Sequence, residues 1–140
     1  MRTKYAAWVM LGILGCFLFG EPAQAGKKKQ PDLSKLPPAS DRKDLTYDKD
    51  IRPIFEASCF KCHGPEKHKG KLRLDNLPDA VKGSEDGKVI LPGDGTHSPL
   101  VINIAHAGDE DDFMPPPKKG QPLTPEQIGL VRAWIDQGAK

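Results

Sequence analysis

Cys59-Phe60-Lys61-Cys62-His63 constrains what this chain can become more than any other stretch of it. Two thiols three residues apart on a helical turn can form thioethers to the two vinyl groups of a single haem, and the adjacent histidine then lies under the iron as proximal ligand. Other uses of a Cys-x-x-Cys pair fit less well. A thiol–disulfide redox pair sits between a strand and a helix of a βαβ unit, and no such pattern is present. A zinc site needs two further ligands, and the candidates His68, His97 and His106 are irregularly spaced. A plain structural disulfide leaves His63 without a role. The motif therefore predicts one covalently attached haem c, carried by Cys59, Cys62 and His63.

A six-coordinate haem needs a second axial ligand. Met114 is the only methionine beyond position 25, and it stands in Phe113-Met114-Pro115-Pro116-Pro117. Proline after it favours extended backbone and a stiff loop. Stiffness suits a weak thioether ligand, because less chain entropy is lost on coordination. A gap-filling core methionine is the bland alternative. His106 is the second candidate for the iron, and His68 and His97 read as solvated loop residues.

The start of the chain has its own logic. Arg2 and Lys4 precede an uncharged apolar run over 5–20, and Glu21-Pro22-Ala23-Gln24-Ala25 supplies a polar break with an Ala-x-Ala site. This is the pattern of a secretory signal peptide over 1–25, with cleavage after Ala25 and a periplasmic destination. Covalent haem attachment, which takes place outside the cytoplasm, agrees with export. An uncleaved anchor or a lipoprotein signal at Cys16 would instead tether the protein to the membrane. Against lipidation, Phe17-Leu18-Phe19 carries the apolar run past Cys16.

Beyond residue 25 the aromatics are Tyr47, Phe55, Phe60, Phe113 and Trp134. Five rings make a marginal core for a domain of this size, and a buried porphyrin would add a large apolar face. Phe55, Leu72, Leu74, Val101, Ile104, Phe113 and Trp134 are the candidates to pack near it. The haem-free chain is accordingly expected to be largely unfolded.

The 140 residues allow one domain. Residues 26–45 repeat Lys and Pro without apolar periodicity and read as a flexible leader. Lys27, Lys28 and Lys29 fall short of a polybasic membrane anchor. The domain is expected over 46–140, mostly helical, with long loops rich in the chain's 14 glycines and 14 prolines. Asp48 or Asp50 can cap a first helix with Ile51, Ile54, Phe55 and Cys59 on one face, stopped by Gly64-Pro65. Ser98-Pro99 opens a middle helix carrying Leu100, Val101, Ile104 and Ala105, ended by Gly108. Thr124, Pro125 and Gln127 form a capping box for a last helix that buries Ile128, Val131, Trp134 and Ile135 and ends at Gly138. Leu72-Arg73-Leu74 and Val89-Ile90-Leu91 are expected as short extended pieces.

Taken in order, several runs resemble the planctomycete-type cytochrome c domain: Asp50-Ile51-Arg52-Pro53-Ile54-Phe55, the Cys59 to Pro65 stretch, Gly70-Lys71-Leu72-Arg73-Leu74-Asp75 and Ile90-Leu91-Pro92-Gly93-Asp94. Ser98-Pro99-Leu100, Met114-Pro115-Pro116, Leu123-Thr124-Pro125-Glu126-Gln127-Ile128 and Trp134-Ile135-Asp136-Gln137-Gly138-Ala139 continue the likeness. The resemblance implies an all-α small cytochrome c fold with crossed N- and C-terminal helices, and one haem held by Cys59, Cys62, His63 and Met114. The family pattern often has a second glycine where this chain has Lys71, a difference expected to matter little.

The net charge of +2 is too small to point to nucleic acid. Lys61, Lys67, Lys69 and Lys71 surround the motif and Lys118-Lys119 follow Met114, an arrangement that suits docking to an acidic redox partner. Asp109-Glu110-Asp111-Asp112 precedes Phe113; acid charge there would stabilise ferric iron, and a calcium site there would lack EF-hand spacing. With no nucleophile triad or paired carboxylates, the expectation is an electron carrier, not an enzyme. The alternatives are an open-site haem enzyme or sensor for peroxide or a small gas, and a haem subunit of a larger complex.

Overall fold

The structure is a computed structural model that describes residues 28–140; the signal peptide, the Cys16 alternative and the uncleaved anchor fall on positions outside the described residues. Among the described residues the fold is all-α, with α1 (Arg52–Ser58), α2 (Phe60–His63), α3 (Leu77–Lys82), α4 (Pro99–Ile104) and α5 (Pro125–Asp136). No strand occurs among them, and two isolated bridges join His63 to His68 and Ser84 to Gly87. No helix of the described residues is long and apolar enough to cross a membrane.

α5 follows its sequence signals closely. Thr124 Oγ1 accepts the Gln127 amide at 3.3 Å while Gln127 Oε1 accepts the Thr124 amide at 2.9 Å, the reciprocal capping box. Ile128, Val131, Trp134 and Ile135 are buried, as the 3.6-residue period requires. The first helical segment is less regular. A π-helical turn, Tyr47–Ile51, precedes α1, and the N-cap position belongs to Thr46, not to Asp48 or Asp50. Asp50 serves from inside the turn, its Oδ2 accepting the Thr46 amide at 2.9 Å. Ile51, Ile54 and Phe55 are buried as expected. The expected single helix breaks at Cys59 and resumes as α2.

These two ends of the domain meet through their rings. Trp134 has its centroid 6.0 Å from Tyr47 and 6.5 Å from Phe55, the latter edge to face, and Tyr47 lies 6.4 Å from Phe55. Val101 and Ile104 of α4, with Leu72, Leu74 and Ile90, complete the core around them. Six of the seven side chains expected beside a porphyrin are thus buried in this core, and Phe113 is half-buried.

Two expectations are corrected. α3 was not expected; Asn76 caps it through Oδ1 on the Asp79 amide at 2.9 Å, and Pro78 occupies its first turn. Its apolar residues Leu77, Ala80 and Val81 fall at i, i+3 and i+4, but over six residues only. The stretch expected as a flexible leader lies against the domain from Lys28 onward. The Asp32 amide donates to Ala107 O at 2.7 Å, the Ser40 amide to Gly129 O at 3.0 Å, and Arg132 Nη1 to Pro37 O at 2.7 Å. Leu36 and Leu45 are buried. Composition understated this segment, because its backbone is satisfied by groups on the domain.

Candidate functional site

The Cys-x-x-Cys-His run is one turn of helix. The Cys62 amide donates to Cys59 O at 3.0 Å and the His63 amide to the same carbonyl at 2.8 Å. All three side chains therefore issue from a single turn at the edge of the core, each partly exposed, with Cys59 and Phe60 packed against the core cluster. Gly64 follows because nothing larger fits, since a Cβ there would collide with the Phe60 carbonyl. The Arg52 guanidinium sits 5.8 Å over the Phe60 ring.

Both cysteines are free thiols. Burial, then the neighbouring Cys62, pushes the Cys59 thiol up to about 12. A dithiol redox pair needs the opposite shift, towards thiolate at neutral pH. Among the described residues no three His, Cys, Asp or Glu side chains converge, so the pair lacks the further ligands a zinc cage requires.

His63 is braced by the extended piece that follows. Its carbonyl accepts the Leu74 amide at 2.7 Å, and its Nδ1 lies 3.4 Å from Leu72 O. With Nδ1–H turned to that carbonyl, Nε2 is left with its lone pair free, the arrangement of a ligating histidine with its outer partner. Burial lowers the His63 pKa below the usual histidine value, which favours the neutral ligand form. The brace is itself pinned, because buried Tyr47 Oη donates to Leu74 O at 2.6 Å. Arg73 turns the other way, bonding Asp75 at 2.7 Å and Asp79 at 3.3 Å, as residue alternation along an extended piece demands.

Lys71 stands out just before the brace. It has φ 55, as Gly70 before it has φ 62. That is the left-handed region glycine favours, so a lysine here carries a conformational cost, contrary to the expectation that its difference from glycine matters little.

Met114 is held by α4. Its amide donates to Asn103 O at 3.1 Å, its side chain packs against the core, and its carbonyl is 3.3 Å from His106 Nε2. His106 stacks face to face on Phe113 with centroids 4.4 Å apart. α4 ends at Ile104, ahead of the expected stop at Gly108, because His106 takes the left-handed position at φ 52. The acid run forms a single 3-10 turn, Glu110–Asp112, capped by Asp109 Oδ1 on the Asp111 amide, and Lys28 pairs with Asp112 at 2.8 Å. That turn offers no converging calcium cage. His97 is an exposed loop residue bonded to Asp94 at 2.9 Å, and His68 is exposed.

The donor set fits a haem c: two free thiols one turn apart and an imidazole whose outer nitrogen already has a carbonyl partner. The groups sequence reasoning missed are backbone carbonyls, those of Leu72, Leu74 and Asn103, which carry no side-chain signature. Residues 59–118 match the family model described as Planctomycete cytochrome C. No curated protein and no solved structure matches the chain.

Proposed function

We propose that this chain, whose residues 59–118 match the family model described as Planctomycete cytochrome C, is an exported monohaem c-type cytochrome that passes single electrons between redox partners in the periplasm. The observation that carries the proposal is the Cys59–Cys62–His63 turn with His63 Nδ1 engaged by Leu72 O. Cys59 and Cys62 would hold the haem through thioethers, and His63 Nε2 and the Met114 thioether would be its axial ligands. When bound, the haem supplies a one-electron ferrous/ferric couple.

The protein's own contribution is positional. Leu72 O fixes the His63 ring and tautomer, and Tyr47 holds the segment that carries that carbonyl. α4 holds the Met114 backbone, and the prolines after it limit the loop's freedom. No proton has to move for an electron to pass, so the absence of an acid–base pair from the proposed role is consistent with a carrier. Lys61, Lys67 and Lys69 lie exposed beside the motif and Lys118 and Lys119 beyond Met114, which favours an acidic docking face on the partner.

The test is the visible spectrum of periplasm-matured protein, oxidised and reduced, followed by acid–acetone extraction. Colour that stays with the polypeptide is expected, with a low-spin spectrum that turns high-spin in Met114→Ala. Haem that extracts freely would refute the attachment. A high-spin wild type would replace the carrier with an open-site enzyme or sensor.

A further inference from the structure

α4 and α5 close with the same pair of amide bonds and differ in one residue. In α5 the Gly138 amide donates to Ile135 O at 2.9 Å and the Ala139 amide to Trp134 O at 3.0 Å. In α4 the His106 amide donates to Asn103 O at 3.2 Å and the Ala107 amide to Ile102 O at 3.0 Å. Such a cap requires a left-handed residue, and glycine usually provides it. α5 uses Gly138 at φ 99, whereas α4 uses His106 at φ 52.

A histidine is strained there, and strain of this kind persists where surrounding contacts over-determine it. Those contacts all lead to Met114. The imidazole lies on the Phe113 ring, 4.4 Å between centroids and 1° from parallel. Its Nε2–H points to Met114 O at 3.3 Å. The Met114 amide donates to Asn103 O at 3.1 Å, the carbonyl that also closes the cap. Phe113 and Met114 are therefore gripped from ring, amide and carbonyl by the last turn of α4.

We propose that His106 is a positioning residue for the Met114 thioether, locking the backbone of the ligand loop from its N-terminal side as the prolines lock it from the other. The proposal rests on Met114 being an axial ligand, and it gives His106 a role other than iron ligation: its Nε2–H is spent on the Met114 carbonyl.

His106→Gly separates this role from folding, because glycine suits the left-handed backbone while removing both ring and donor. His106→Gln returns an N–H donor at a similar reach. In matured holoprotein, His106→Gly is expected to unfold at the same or higher denaturant concentration as wild type. Its ferric form should bind added imidazole about fivefold more tightly, the equivalent of one lost hydrogen bond, and show a weakened methionine–iron charge-transfer band. His106→Gln should recover most of the wild-type affinity. Wild-type imidazole affinity and an intact band in His106→Gly would overturn the proposal while leaving the ligand assignment standing. The assignment itself is read separately: a Met114→Ala spectrum identical to wild type would remove Met114 from the iron, and the positioning role with it. Loss of the low-spin spectrum in His106→Gly alone would make His106 the ligand and overturn both.

Discussion

Tyr47 reaches the candidate site through one atom. Its hydroxyl donates to Leu74 O at 2.6 Å, and burial raises its pKa to about 12. The folded state thus holds the phenol proton more tightly than the unfolded chain, whose tyrosine titrates near 10. Stability from this group is fully present below about pH 10 and is lost as pH rises from there towards 12. Tyr47→Phe should cost about 1 kcal/mol at neutral pH, since Leu74 O loses its donor, and the variant should lose less stability than wild type above pH 10. Denaturant melts between pH 7 and 11.5 would show whether the two curves converge. Lys71 offers the opposite sign. With φ 55 it occupies a region where a Cβ costs about 1 kcal/mol, so Lys71→Gly should raise stability by up to about 1 kcal/mol in an equilibrium melt.

At the level of elements, Gly129 shows how an apparent defect can be a fitted contact. Glycine in the middle of a helix normally weakens it by about 1 kcal/mol relative to alanine. Here a Cβ would meet Pro38 O at 2.7 Å, and the Gly129 carbonyl accepts the Ser40 amide. Gly129→Ala should therefore destabilise the intact chain by about 1–3 kcal/mol, and in a chain shortened to begin after Ser40 it should stabilise by up to about 1 kcal/mol. A change of sign between the two backgrounds, read by thermal melts, is the test. The same contrast explains what was legible in the sequence. α5 announced itself because its cap, period and stop are all side-chain signals, as are Cys59, Cys62 and His63. α3 is only six residues long, too short for the spacing of Leu77, Ala80 and Val81 to stand out, and the split of the first helix at Cys59 and the close of α4 at His106 depend on backbone angles. Gly108 looked like the stop for α4 because glycine is the usual terminator, yet a histidine with ring and carbonyl partners took that position first.

Across the whole molecule, two features are coupled: the core and the segment before it. The core closes on side chains, with Trp134, Phe55 and Val101 fully buried, while the cysteine turn and Met114 sit half-exposed at its edge. A haem on the cysteine turn would cover the apolar surface beside it. A Cys59→Ser/Cys62→Ser double variant is therefore expected to lose the cooperative transition of the holoprotein at its melting temperature, which calorimetry would detect. Leu36→Ala should cost about 2 kcal/mol by emptying a buried site on the leader. The leader also touches the acid turn ahead of Met114. Lys28 pairs with Asp112 and the Lys29 amide donates to Asp109 Oδ2, two to five residues before Met114. A body joined directly before Lys28 would start from the shoulder of the methionine loop. Such an attachment would act as a fixed screen, leaving a redox partner to approach from another quarter of the surface.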